Sequence, residues 1–88
     1  MDIKRINPKE WNCSAAVCGD LVFLSGVVAD DKSVPMKGQT EQVLRKIDKV
    51  LASAGSNKSR ILSATVYMAD ATLTPGTLVE ITVCATKA

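Results

Sequence analysis

The sequence predicts an α/β (α+β) domain in the order β-β-α-β-β, one amphipathic helix lying over one face of a four-stranded sheet. Three observations carry this. Two short apolar runs flank Gly19-Asp20 and read as a β-hairpin. Apolar residues between Val43 and Ala54 recur at a helical period. Two further β-branched runs follow that helix. With 88 residues, the chain is read as a single domain spanning 1–88.

Residues 1–12 are polar and mixed, and Pro8 predicts an extended or irregular lead-in. Ser14–Cys18 and Leu21–Ala29 are the two hairpin strands. Gly19 supplies a positive φ at no steric cost, and Asp20 tolerates turn geometry. Alternation puts Leu21, Phe23, Ser25 and Val27 on one face of the second strand and Val22, Leu24, Gly26 and Val28 on the other. Both faces are mostly apolar, so this strand needs cover on both sides. The pair Ser25-Gly26 has no obvious place in such a strand. Either the strand ends there in a loop, or a ligand or another backbone approaches closely.

Asp30–Pro35 reads as a loop. Val43, Leu44, Ile47, Val50, Leu51 and Ala54 form one stripe of a helix placed at about 36–54, with Gly55 as its C′ residue. Ile61–Ala69 is the third strand and Pro75-Gly76 a turn. Leu78–Ala85 is the last strand, with Val79, Ile81, Val83 and Ala85 on one face and Leu78, Glu80, Thr82 and Cys84 on the other. One helix covers one face of the sheet. The other face retains apolar side chains and is expected to meet another copy of the chain.

Composition removes several kinds of chemistry. There is no histidine, hence no imidazole triad, His metal site or imidazole acid–base pair. A net charge of +2 without a basic run argues against nucleic acid as a partner. The longest uncharged apolar stretch, Leu21–Ala29, is too short to span a bilayer, so no membrane partner is expected. Cys13, Cys18 and Cys84 are odd in number and lack C-x-x-C spacing; they read as free thiols packed as small core residues in a reducing, cytoplasmic setting. No phosphate-binding loop is present, because Gly55-Ser-Asn-Lys-Ser lacks the required spacing.

The stretches Ser14-Ala-Ala-Val, Gly19-Asp-Leu-Val-Phe-Leu-Ser-Gly26 and Gln39-Thr-Glu-Gln-Val-Leu resemble the Rid (reactive intermediate deaminase) proteins, also called the YjgF family. The likeness continues through Val50-Leu-Ala-Ser-Ala-Gly-Ser56, Ile61-Leu-Ser-Ala-Thr-Val-Tyr-Met-Ala-Asp70 and Leu78-Val-Glu-Ile81. The resemblance implies a chorismate-mutase-like fold and a homotrimer with clefts between subunits. It implies hydrolysis of small enamine or imine intermediates to 2-oxo acids and ammonia, with no metal or cofactor.

Carried over position by position, Glu80 is similar to the family glutamate that positions the attacking water. A carboxylate suits that task beside an electrophilic imine carbon. Without the resemblance, Glu80 reads equally as an exposed glutamate on an edge strand. Ser25, with Gly26 beside it, matches the small polar end of the second strand near the ligand. Cys13 falls where many members carry a pocket tyrosine, and Ser14 is its polar neighbour.

The family also has, after the position of Asp70, a second long helix and a strand whose Pro-Ala-Arg motif grips the substrate carboxylate. Here Asp70 is followed almost at once by Ala71-Thr-Leu-Thr-Pro-Gly-Thr-Leu-Val-Glu-Ile, so by comparison that segment and its arginine are absent from this sequence. Arg45 and Arg60 are not substitutes by motif. Two functions therefore stay open. One is weak deamination of a small imine; the other is a non-catalytic oligomeric protein binding a small metabolite such as a 2-oxo acid. A ribonuclease is the least supported, given the missing histidine and the small basic excess.

Overall fold

The computed structural model describes residues 2–10, 12–69 and 76–88. Pro75 of the expected turn and Asp70 lie outside the described residues. Among the described residues there are six strands in one antiparallel sheet and one α-helix. The strands are β1 (Ile3–Ile6), β2 (Ala15–Cys18), β3 (Leu21–Leu24), β4 (Val27–Val28), β5 (Ile61–Met68) and β6 (Val79–Thr86). The helix is α1 (Met36–Ser53), and a short 3₁₀ turn, Lys58–Arg60, leads into β5.

The hairpin forms as its sequence dictates. Cys18 pairs with Leu21 across Gly19-Asp20. Gly19 takes φ 59°, as a type II′ turn requires of its first central residue. The lead-in is extended and, beyond the expectation, joins the sheet: β1 pairs with β2, Ile3 opposite Cys18 and Ile6 opposite Ala15. Pro8 ends the pairing only after β1 is complete, and Asn7 turns the chain away at φ 50°, a region asparagine tolerates.

The long second strand is broken, and the break changes its faces. Phe23 pairs with Cys84 and Val27 with Ile81, so four steps along one strand match three along β6. The extra residue is a β-bulge at Ser25-Gly26. Uniform alternation put Phe23 and Val27 on one face. Instead Val22 and Leu24 are buried before the bulge, and Val27 and Ala29 after it. Ile81 pairs with both Val27 and Val66, and Ala85 with both Val22 and Ile61. Thus β3 and β4 occupy one edge of β6 in succession, while β5 occupies the other.

The core lies between α1 and one sheet face. Val43, Ile47, Leu51 and Ala54 of the helix region pack with Val17, Val22, Leu24 and the alternating Val79, Ile81, Val83 and Ala85 of β6. The helix ends in a Schellman motif: the Ser56 amide donates to Leu51 O (2.8 Å), the Gly55 amide to Ala52 O (3.1 Å), and Gly55 takes φ 79°. Leu44 departs from the expected stripe and is 51% exposed. It lies on the flank of α1 over β5, where it lines a groove of about 430 Å³ with Ile61, Val66 and Ile81. Among the described residues nothing covers the opposite sheet face, as expected: Leu21 and Phe23 on it are exposed. The cysteines are half-buried rather than core residues, because the core face of each strand is taken by Val, Ile, Leu and Ala.

Candidate functional site

The bulge brings the candidate residues into contact. Ser14, just before β2, and Ser25, just after β3, stand at the open end of the hairpin. The Ser25 amide donates to Ser14 O (3.1 Å), and Ser25 Oγ donates to the same carbonyl (3.2 Å). The Ser14 amide in turn donates to Ile6 O (2.8 Å), which ties β1 to the same corner. Ser25's proton is thereby directed into the protein, leaving its oxygen as an acceptor.

Gly26 carries the closest approach. A Cβ built on it would lie 2.7 Å from Glu80 Cδ and 2.8 Å from Glu80 Oε2. The carboxylate of Glu80 therefore rests on the backbone of Gly26, in space that any side chain would fill. Register explains this, because Glu80 pairs with Val28 on one side and Tyr67 on the other. Among the described residues, no hydrogen-bond or ionic partner holds this half-buried carboxylate. It is available to water or to a ligand.

Two hollows flank the bulge. One, of about 220 Å³, is lined by Cys13, Ser14, Ser25 and Gly26 together with Lys9 and Lys46. The other, of about 420 Å³, opens on the bare sheet face and is lined by Cys13, Ser25, Arg5, Lys9 and Phe23 among others. Glu80 touches Gly26 but lines a separate hollow of about 310 Å³, with Tyr67, Thr77 and Leu78. Thus Cys13, Ser14, Ser25 and Gly26 share one cavity, and Glu80 meets them across Gly26 rather than within it.

Four residues missed from the sequence shape this region. Lys46 donates to Val28 O (2.7 Å) and pairs with Asp30 (2.9 Å), clamping α1 onto the strand after the bulge. That hydrogen bond and the Lys46 charge hold the Asp30 carboxyl below its ordinary 3.8. Arg5 and Lys9 come from the lead-in expected to be extended or irregular. Gln39 is completely buried. Its Nε2 donates to Val34 O (3.1 Å) and Gly76 O (3.0 Å), and its Oε1 accepts from the Leu78 amide (3.0 Å). This side chain ties the start of α1 to the segment entering β6, two residues before Glu80. Its signal was in the sequence: Gln39 lies four residues before Val43, a polar residue on the core stripe.

Among the described residues, no group of three His, Cys, Asp or Glu side chains could hold a metal ion. Among them, too, no helix is long and apolar enough to cross a membrane.

A family model described as Endoribonuclease L-PSP matches residues 3–72. A RutC family protein of Haemophilus ducreyi is 41% identical over 68 residues, covering 77% of this chain and 58% of that protein. The chain belongs to the Rid/YjgF family. Solved structures agree. A YjgF-family protein of Neisseria meningitidis superposes with TM-score 0.86 at 26% identity, covering 100% of this chain and 97% of that one. An uncharacterized Pseudomonas aeruginosa protein superposes with TM-score 0.91 at 25% identity, covering 99% and 100%. The Rid/YjgF chain described here has the chorismate-mutase-like fold of these neighbours. It spans 58–61% of the length of the curated family relatives it matches.

Proposed function

We propose that this chain hydrolyses small imines or enamines to 2-oxo acids and ammonia, with Glu80 as the group that orients and deprotonates water. The observation that carries the proposal is the Glu80 carboxylate, without a partner among the described residues, resting on Gly26 beside Ser25. An enamine first takes a proton on carbon and gives one up from nitrogen to become the imine. Water oxygen then bonds to the imine carbon as a water proton passes to Glu80. The C=N π pair moves to nitrogen, which takes up a proton. The resulting carbinolamine loses ammonia as its C–N bond breaks, and the hydroxyl proton leaves to give the carbonyl. Glu80 returns its proton to the departing nitrogen and is regenerated. No redox step or bound cofactor is needed.

Ser25 suits the nitrogen end of such a substrate, since its oxygen accepts rather than donates. In this reading Cys13 and Ser14 form the adjoining wall. The bare sheet face, with exposed Leu21 and Phe23, supports a homotrimer in which neighbouring chains complete the site.

The test is ammonia release from freshly generated 2-iminopropionate. Release should exceed buffer alone and fall about 10²-fold or more in Glu80→Gln, which cannot accept the proton. A wild-type rate equal to buffer, at high protein concentration, would remove the enzymatic reading. A bound metabolite seen by native mass spectrometry without turnover would favour the binding-protein alternative.

A further inference from the structure

We propose that the open edge of β5 pairs, antiparallel and about a two-fold axis at Thr65, with β5 of a second copy of the chain. The contact lies in the plane of the sheet. It leaves the bare face to the neighbours in the trimer proposed above, so it joins trimers two by two.

β5 is the anomalous edge of this sheet. Its eight residues, Ile61–Met68, pair with β6 along one side, and among the described residues no strand lies along the other. An open row of N–H and C=O groups is a template for another strand, and edges are usually blunted by charge, proline or brevity. The other outer strands follow that rule: β1 is four residues long and carries Lys4 and Arg5, and β4 has two residues. β5 has none of these devices. It holds no charged residue and no proline, and Leu62, Val66, Tyr67 and Met68 are exposed. The helix gives it little cover, since α1 packs mainly on β4 and β6.

The strand is complementary to itself in one register. Residues paired across the β5–β6 ladder share a face. Ala64 and Val66 therefore lie on the helix side with Val83 and Ile81, while Ser63, Thr65 and Tyr67 lie on the other with Cys84, Thr82 and Glu80. An antiparallel copy keeps these faces matched when the axis passes through a residue, and swaps them when it passes between two. The irregularity between Ile61 and Ser63 leaves 63–68 as the regular run. With Thr65 on the axis, the two Thr65 side chains meet, Ala64 opposes the second copy's Val66, and Ser63 opposes its Tyr67. Threonine pairs are favourable across strands, and no like charges meet. The two-fold also uses up both open edges, so the pair closes instead of growing into a fibre.

The test is sedimentation velocity from micromolar to several hundred micromolar protein, over which the sedimenting mass should double. Val66→Lys places a charge on the edge beside the axis and should weaken the doubling about tenfold. Leu44→Lys, in the same apolar groove but on α1, should double as wild type. A second measurement traps the register. Mild oxidation of Thr65→Cys should give a disulfide joining the two substituted positions, located by peptide mass mapping, because their Cβ atoms face each other at about 5 Å. Ser63→Cys should not link to its own copy, since the two positions stand about 13 Å apart in this register. If Val66→Lys does not fold, as read by circular dichroism, the disulfide pair decides. Edge pairing is overturned if the wild-type mass does not double, if doubling survives in folded Val66→Lys, if Thr65→Cys does not link, or if Ser63→Cys links as readily. Monomers that give way to dimers with the same variant pattern would sink the trimer and leave edge pairing standing.

Discussion

Gly26 is a glycine because of what lies against it. Its φ is not in the left-handed region, unlike those of Gly19, Gly55 and Gly76. The constraint is the Glu80 carboxylate, which occupies the place of a Cβ. Glu80 presents the end of a flexible side chain there, so it can swing aside. Gly26→Ala should therefore leave the melting temperature within a few degrees of wild type, while ammonia release falls because the carboxylate is displaced. Equal activity in Gly26→Ala would mean that this contact has no part in the chemistry. Gln39 is the opposite case. Removing its amide strands the Leu78 N–H and the Val34 and Gly76 carbonyls in a partly buried place. Gln39→Ala should cost about 2–4 kcal/mol of stability, read as a lower denaturation midpoint in urea. The odd placement of Gly26 in a greasy strand was visible in the sequence. That the close approach would come from a side chain on β6 was not, because that contact joins residues 54 positions apart.

At the scale of elements, the bulge separates what patterning can and cannot predict. Alternation gave the right faces for β6, where Val79, Ile81, Val83 and Ala85 are all buried. It failed in the strand after Gly19, because one extra residue inverts every side chain beyond it. The helix and its Schellman end were legible, since period and C′ glycine are local signals. The edge strand β1 was not, because its mixed residues pair through backbone that any side chain permits. The clamp between α1 and the bulged strand predicts an acid-sensitive contact. Asp30 titrates below its ordinary value because Lys46 hydrogen-bonds and attracts it. A depressed folded value means that the stabilisation is present above the unfolded pKa and is lost as pH falls through the folded one. Between about pH 5 and about pH 2 the wild-type melting temperature should fall, and Asp30→Asn should fall less steeply over that window. The pair is exposed, so the difference should be small. Parallel profiles for the two proteins would show that the ion pair does not set this limb.

At the scale of the whole molecule, among the described residues one helix covers one face of a six-stranded sheet and leaves the other bare. Leu21, Phe23 and Tyr67 remain exposed on that bare face. A chain of 88 residues has little surplus core with which to tolerate this alone. In sedimentation velocity the protein should run as a trimer at micromolar concentration, and Leu21→Asp should shift it toward monomer. A wild-type monomer would count against both the assembly and a site completed between chains.

The sequence by itself determined the family, the amphipathic helix and its end, the hairpin turn and the inward face of β6. Each of these is written in neighbouring residues or in a period of two or 3.6. Only the tertiary structure decided that the second strand is bulged, that Glu80 rests on Gly26, that Gln39 is a buried clasp and that Arg5 and Lys9 overlook Ser25. These are meetings of distant segments. They follow from strand register and from which backbone groups find partners, and no local pattern encodes either.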